Sequence, residues 1–183
     1  RGSRALDSVT IKVGPELASA SRVLLSAAAA GALEGAVEHE RLNLINARAV
    51  AAARGIELSV SEGGIPPHPR AIEVRIRAGA DELRVGGVAA VDATPRLTRI
   101  GSFQVDVALR SPVIVITNHD VPGVIGRVGT ALGNAHVNIA EYHQARVAQG
   151  GEALAVIAVD GPVGSAVRDV LLVFPNHGRR DLD

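Results

Sequence analysis

At Ser111-Pro112 the pattern of the chain starts over, and this restart limits the available folds more than any other feature. A Ser-Pro step after a run of strand-like segments marks a break, because the residue before a proline is pushed out of helical geometry and the proline cannot donate to a ladder. The 183 residues then divide into 1–110 and 111–183, each long enough for a small domain. The chain is 47% hydrophobic but carries only one Tyr and two Phe, so both cores must be built from Ala, Val, Leu and Ile. A formal net charge of zero gives no field that would favour nucleic acid or an anionic membrane. With no cysteine, a disulfide framework, a thiolate metal site and a Cys nucleophile are excluded, which fits a cytoplasmic protein. The longest apolar run, Val23 to Val37, is interrupted by Ser26, Gly31, Glu34 and Gly35 and is too short to span a bilayer. The absence of Met and the opening Arg1-Gly2-Ser3 suggest a piece of something longer.

The second region reads as six elements. Val113 to Thr117 is a continuous apolar run, expected to be a buried strand. Gly123 to Ala135 is a helix that Pro122 can begin. Val137 to Val147 and Glu152 to Val159 are strands joined at Gly150-Gly151, a hairpin signal. Val163 to Val173 reads as a second helix, and the tail from Asn176 as a last strand. The order βαββα(β) is that of a ferredoxin-like domain. The first region reads as an α/β domain. A strand at Val9 to Val13 precedes a helical Leu17 to Val37 and a helix at Asn43 to Arg54, which Asn46 can cap and Gly55 stops. Ile56 to Ser61 is a short strand. After the breaker Gly63 to Pro69 come strands at Ala71 to Arg77, Glu82 to Val91, Arg96 to Ile100 and Phe103 to Leu109.

The chemistry concentrates in Asn118-His119-Asp120-Val121-Pro122-Gly123-Val124-Ile125-Gly126-Arg127-Val128-Gly129, which leaves a strand and enters a helix. Backbone N–H groups in the first turn of a helix lack internal partners and, with the helix dipole, favour an anion such as an amino-acid carboxylate. Gly123 lets a ligand or another chain come close, and Asp120 can hold an ammonium or cap the helix. Such a loop suits a zwitterion. The glycines at 123, 126 and 129 are spaced G-x-x-G-x-x-G, not G-x-G-x-x-G, and a hairpin follows the helix, so a dinucleotide-binding unit is not expected. Gly126 and Gly129 are expected to let the helix lie close on the sheet. His119, His136 and His143 lack the spacing of a metal site and read as surface residues; Glu141 and His143 share a strand face with no nucleophile beside them.

The run Asn118-x-Asp120-x-Pro122-Gly123-x-Ile125-Gly126-x-Val128-Gly129-x-x-Leu132, with Val137-Asn138-Ile139-Ala140, resembles the ACT domain at the C-terminus of D-3-phosphoglycerate dehydrogenase. Asn43-Leu44-Ile45-Asn46-Ala47, Ala53-Arg54-Gly55-Ile56-Glu57 and Pro95-Arg96-Leu97-Thr98-Arg99-Ile100 are similar to the intervening domain of that enzyme's long form. The resemblance implies an intervening domain over 1–110 and an ACT domain over 111–183. It implies L-serine bound where the first-strand loop of one subunit meets the second strand of its neighbour. Asn118, Asp120 and Asn138 would then contact the ligand through side chains, and Val121, Pro122 and Gly123 through backbone. Asn138 also reads as a turn residue entering a strand. Arg96 and Arg99 would offer an anion or phosphate site, or else form a solvated strand face. Asn43 and Asn46 shape a turn and helix cap. Self-association and contact with the parent's catalytic domains are implied. NAD would serve only that missing half, leaving this chain with no catalytic residue, cofactor or metal of its own. Two alternatives are the regulatory subunit of an iron–sulfur L-serine dehydratase, disfavoured because Glu16-Leu17-Ala18 follows Gly14-Pro15, and an ACT assembly module without ligand.

Overall fold

The computed structural model describes residues 5–34, 42–61, 68–89, 94–161 and 164. The chain forms two compact units, Arg1–Ala93 and Thr94–Asp183, dividing upstream of the pattern restart at Ser111-Pro112. The helix expected over Val163 to Val173 and the final strand lie outside the described residues, as do the end of the first long helix and most of the Gly63 to Pro69 breaker.

In the first unit, strand β1 (Ser8–Val13) is followed by a 3-10 turn at Pro15–Ala20, helix α1 (Ser21–Leu33) and helix α2 (Ala47–Ala53). Strands β2 (Glu57–Val60), β3 (Ala71–Ala78) and β4 (Asp81–Ala89) complete it, in sheet order β2-β1-β3-β4. β2 pairs parallel to β1, which requires the crossover that the helices supply, whereas β3 and β4 pair antiparallel. Val9, Leu33, Ala51 and Ile56 form the core, with Leu58, Val74 and Ile76 against it. Gly14 has a steric role: a Cβ there would collide with the carbonyl oxygens of His68 and Pro69. Asn46 holds the N-cap position of the second helix, as expected, without a side-chain cap bond. In the turn before it, Asn43 Oδ1 accepts the N–H groups of Ile45 (2.8 Å) and Asn46 (3.0 Å), and the Asn43 N–H donates to Asn46 Oδ1 (2.8 Å). The two asparagines thus brace each other in the turn that enters the helix.

The second unit opens with the antiparallel pair β5 (Pro95–Ile100) and β6 (Phe103–Ala108). Then come β7 (Val113–His119), α3 (Val124–Asn134), β8 (Ile139–Arg146) and β9 (Glu152–Val159). The sheet order β7-β9-β8 places the last strand between the first two, antiparallel to both. That is the split βαβ of a ferredoxin-like domain, and it confirms the mixed α/β class read from the pattern. It also excludes the adjacent parallel pairing of a dinucleotide-binding unit. The fully buried strand is β9: Ala153 through Val159 are each 4% exposed or less. The expectation of a buried first strand is therefore corrected, since Val115 of β7 is half-exposed. On one face of β9, Ala155, Ile157 and Val159 meet Val124, Val128 and Leu132 of α3. β6 runs beside β8 and β9.

Candidate functional site

β7 ends at His119 and the chain turns sharply before α3. The Asp120 N–H donates to the Gly151 carbonyl (2.9 Å), tying this loop to the β8–β9 turn, and the Val121 N–H donates to the His119 carbonyl (2.9 Å). Gly123 is the residue that starts the helix, at φ 89°, a left-handed conformation that glycine adopts without steric cost. Its carbonyl accepts the N–H of Arg127 (3.0 Å), and no side chain caps the helix, so Asp120 is not a cap. Around a Cβ placed on Gly126 or Gly129 there is open space, so among the described residues close packing on the sheet does not account for them.

The Asp120 side chain is instead directed across the sheet. Its Oδ2 accepts from Arg146 Nη1 (2.8 Å) and its Oδ1 from Gln144 Nε2 (3.2 Å). These donors stand on β8, with β9 in between. Register explains how they arrive. Arg146 lies opposite Ala153, which lies opposite Asn118; Gln144 lies opposite Ala155, which lies opposite Ile116. Opposed residues share a face, and these rows continue the α3-facing side of the sheet. Two strand spacings amount to about 9–10 Å, within reach of Arg and Gln because only alanine stands in the path. Ala153 and Ala155 are buried beneath them.

This arrangement sets the charge. The hydrogen bond from Arg146 is the main cause holding the Asp120 carboxyl below its ordinary 3.8; partial burial opposes it, and the Gly150 backbone and the Arg146 charge reinforce it. The loop, the first turn of α3 and the end of β8 enclose a cavity of about 450 Å³, with Asp120, Val121, Pro122, Gly123, Gln144 and Arg146 among its walls. An acid, a base, an amide and the amino end of a helix thus share one small cavity, a set able to satisfy both ends of a zwitterion.

Of the expected ligand residues, Asp120, Val121, Pro122 and Gly123 line this cavity together. Asn118 is buried just beneath the loop, its Nδ2 donating to the His119 carbonyl (2.6 Å), while its Oδ1 has no partner among the described residues. Asn138 stands at the opposite end of the sheet, where its Nδ2 donates to Asp160 Oδ2 (2.6 Å) and its carbonyl accepts the Asp160 N–H (3.1 Å). Arg96 is engaged with Asp106, Nε to Oδ1 at 2.5 Å. Arg99 pairs with Gln104 across the β5–β6 ladder. The Glu141–His143 contact is 2.9 Å, and among the described residues no group of three or more His, Cys, Asp or Glu could hold a metal. Gln144 and Arg146 were missed by sequence reasoning. The available signal was two polar residues continuing the face of Tyr142, set against two alanines in the central strand.

Comparison with known proteins matches residues 112–175 to the ACT domain. The chain is 34% identical to D-3-phosphoglycerate dehydrogenase 3, chloroplastic, of Arabidopsis thaliana over 65% of its own length and 22% of that protein. It is 29% identical to D-3-phosphoglycerate dehydrogenase of Mycobacterium leprae over 90% of its own length and 32% of that protein. It therefore spans about a third or less of these relatives. A probable L-serine dehydratase, beta chain, of Bacillus subtilis is 27% identical over 69% of this chain and 58% of that protein.

Proposed function

Because residues 112–175 carry an ACT domain and most of the chain is homologous to D-3-phosphoglycerate dehydrogenases, we propose that this is the regulatory part of such an enzyme and that it senses L-serine. The rest of the protein would oxidise 3-phosphoglycerate with NAD, and this part would contribute regulation without a catalytic group. The observation that carries the reading is the cavity between the β7–α3 loop and β8, where the Asp120 carboxyl, held below its ordinary range chiefly by Arg146, stands beside an amino end of α3 that no side chain caps. Asp120 would take the ligand's ammonium, and Val121, Pro122 and Gly123 would shape the pocket through their backbone. Asn138, at the far end of the same sheet, can join this pocket only from a second copy, so ligand binding and self-association go together. The chain would work in the cytoplasm; among the described residues no helix is long and apolar enough to cross a membrane. The dehydratase subunit is the weaker reading, since that relative is less identical to the chain than either dehydrogenase and covers less of it than the Mycobacterium leprae enzyme does.

Calorimetric titration of the 183-residue chain with L-serine tests this, with glycine, L-alanine and D-serine as controls. Saturable binding of L-serine that Asp120→Ala abolishes is the expected result. Absence of heat and of any melting shift at millimolar L-serine would rule out serine sensing by this chain.

A further inference from the structure

Arg146 uses only part of what it has. A guanidinium carries five N–H donors in a planar fork, and Asp120 engages it through Nη1. Its side chain is 57% exposed, at the rim of the cavity, whereas that of Asp120 is 16% exposed and receives Arg146, Gln144 and the Gly150 backbone. The acid is thus surrounded by donors while the base keeps donors to spare. No other guanidinium or ammonium lines this cavity among the described residues.

We infer that Arg146 is the residue that receives the α-carboxylate of the ligand, oriented for the task by its ion pair with Asp120 across the alanine track of β9. This rests on the amino-acid-sensing reading above and deepens it by assigning the ligand class. The site takes molecules carrying both an ammonium and a carboxylate on adjacent positions, and rejects amines that lack the acid. The planar fork grips a carboxylate through two parallel hydrogen bonds while one Nη1 N–H stays on Asp120. Asp120 has room for the ammonium, since a carboxylate offers about four acceptor positions. The amino end of α3 lies on the same wall and adds its field to that of Arg146.

The experiment compares L-serine with L-serinamide, which keeps the ammonium and hydroxyl but has no carboxylate, on the wild-type chain, Arg146→Gln and Arg146→Lys. Wild type should prefer L-serine by about 10- to 100-fold, as expected for loss of hydrogen bonds to a charged group. In Arg146→Gln the affinity for L-serine should drop to that for L-serinamide, with the amide's affinity unchanged. Arg146→Lys should keep part of the preference, since a point charge remains without the fork. An Arg146→Gln chain that still prefers L-serine as wild type does, or that loses both ligands in parallel, overturns the assignment and leaves amino-acid sensing standing. A wild-type chain that binds neither ligand removes the sensing reading, and this inference with it.

Discussion

Gly123 at φ 89° holds the turn that aims the loop at β8. A Cβ there meets only the tip of Arg127 at 4.0 Å, so its requirement is conformational rather than steric. Gly123→Ala should destabilise the chain by about 1–2 kcal/mol, the cost of a left-handed non-glycine residue, read as a lower denaturation midpoint with an unchanged slope. At Asp120 the consequence depends on pH. The folded-state pKa is depressed below 3.8, so its contribution is fully present above that value and is lost as the pH falls through the folded-state pKa. Wild type should therefore melt above Asp120→Asn at neutral pH, with the difference closing on the acid side of 3.8. A gap that stays constant down to pH 2 would mean that the carboxylate is not held by Arg146.

The described elements of the second unit are readable because their periods are clean. β9 was placed at its observed bounds, Glu152–Val159, by an apolar run between glycines and an aspartate. Which strand is central was not readable. Val113 to Thr117 looks as apolar as β9, and burial follows from pairing, which local periodicity does not encode. The same limit hid half of the site. Asp120 and Pro122-Gly123 announce themselves in one short loop, whereas Gln144 and Arg146 reach it only through a register that puts Ala155 and Ala153 beneath them. In the first unit Asn46 holds the N-cap position that its spacing suggests, whereas the reciprocal bonds by which Asn43 and Asn46 brace the preceding turn are not legible from spacing alone. The alanine track makes its own prediction. Ala153→Leu should cost about 1–3 kcal/mol through overpacking and should lift Arg146 off Asp120. Its melting curve should then lack the acid-side loss assigned to that carboxylate.

At the scale of the whole molecule the two compact units have different construction. The first is a parallel crossover extended by an antiparallel hairpin, and the second a split βαβ with β6 alongside. The cavity and its ion pair lie within the second. Its sheet carries Asp120 and Arg146 at one end and Asn138 at the other. β8 separates them by eight residue steps, about 25 Å, several times the length of an amino acid. A ligand that touches both ends therefore measures pairs of chains and not single ones. Its apparent midpoint should move to lower ligand concentration as the chain is made more concentrated, and sedimentation should report heavier particles when ligand is added. A midpoint indifferent to chain concentration would assign the whole pocket to one copy and leave Asn138 to its contact with Asp160. The length of a single strand thus decides whether this domain counts ligand alone or ligand multiplied by its own abundance.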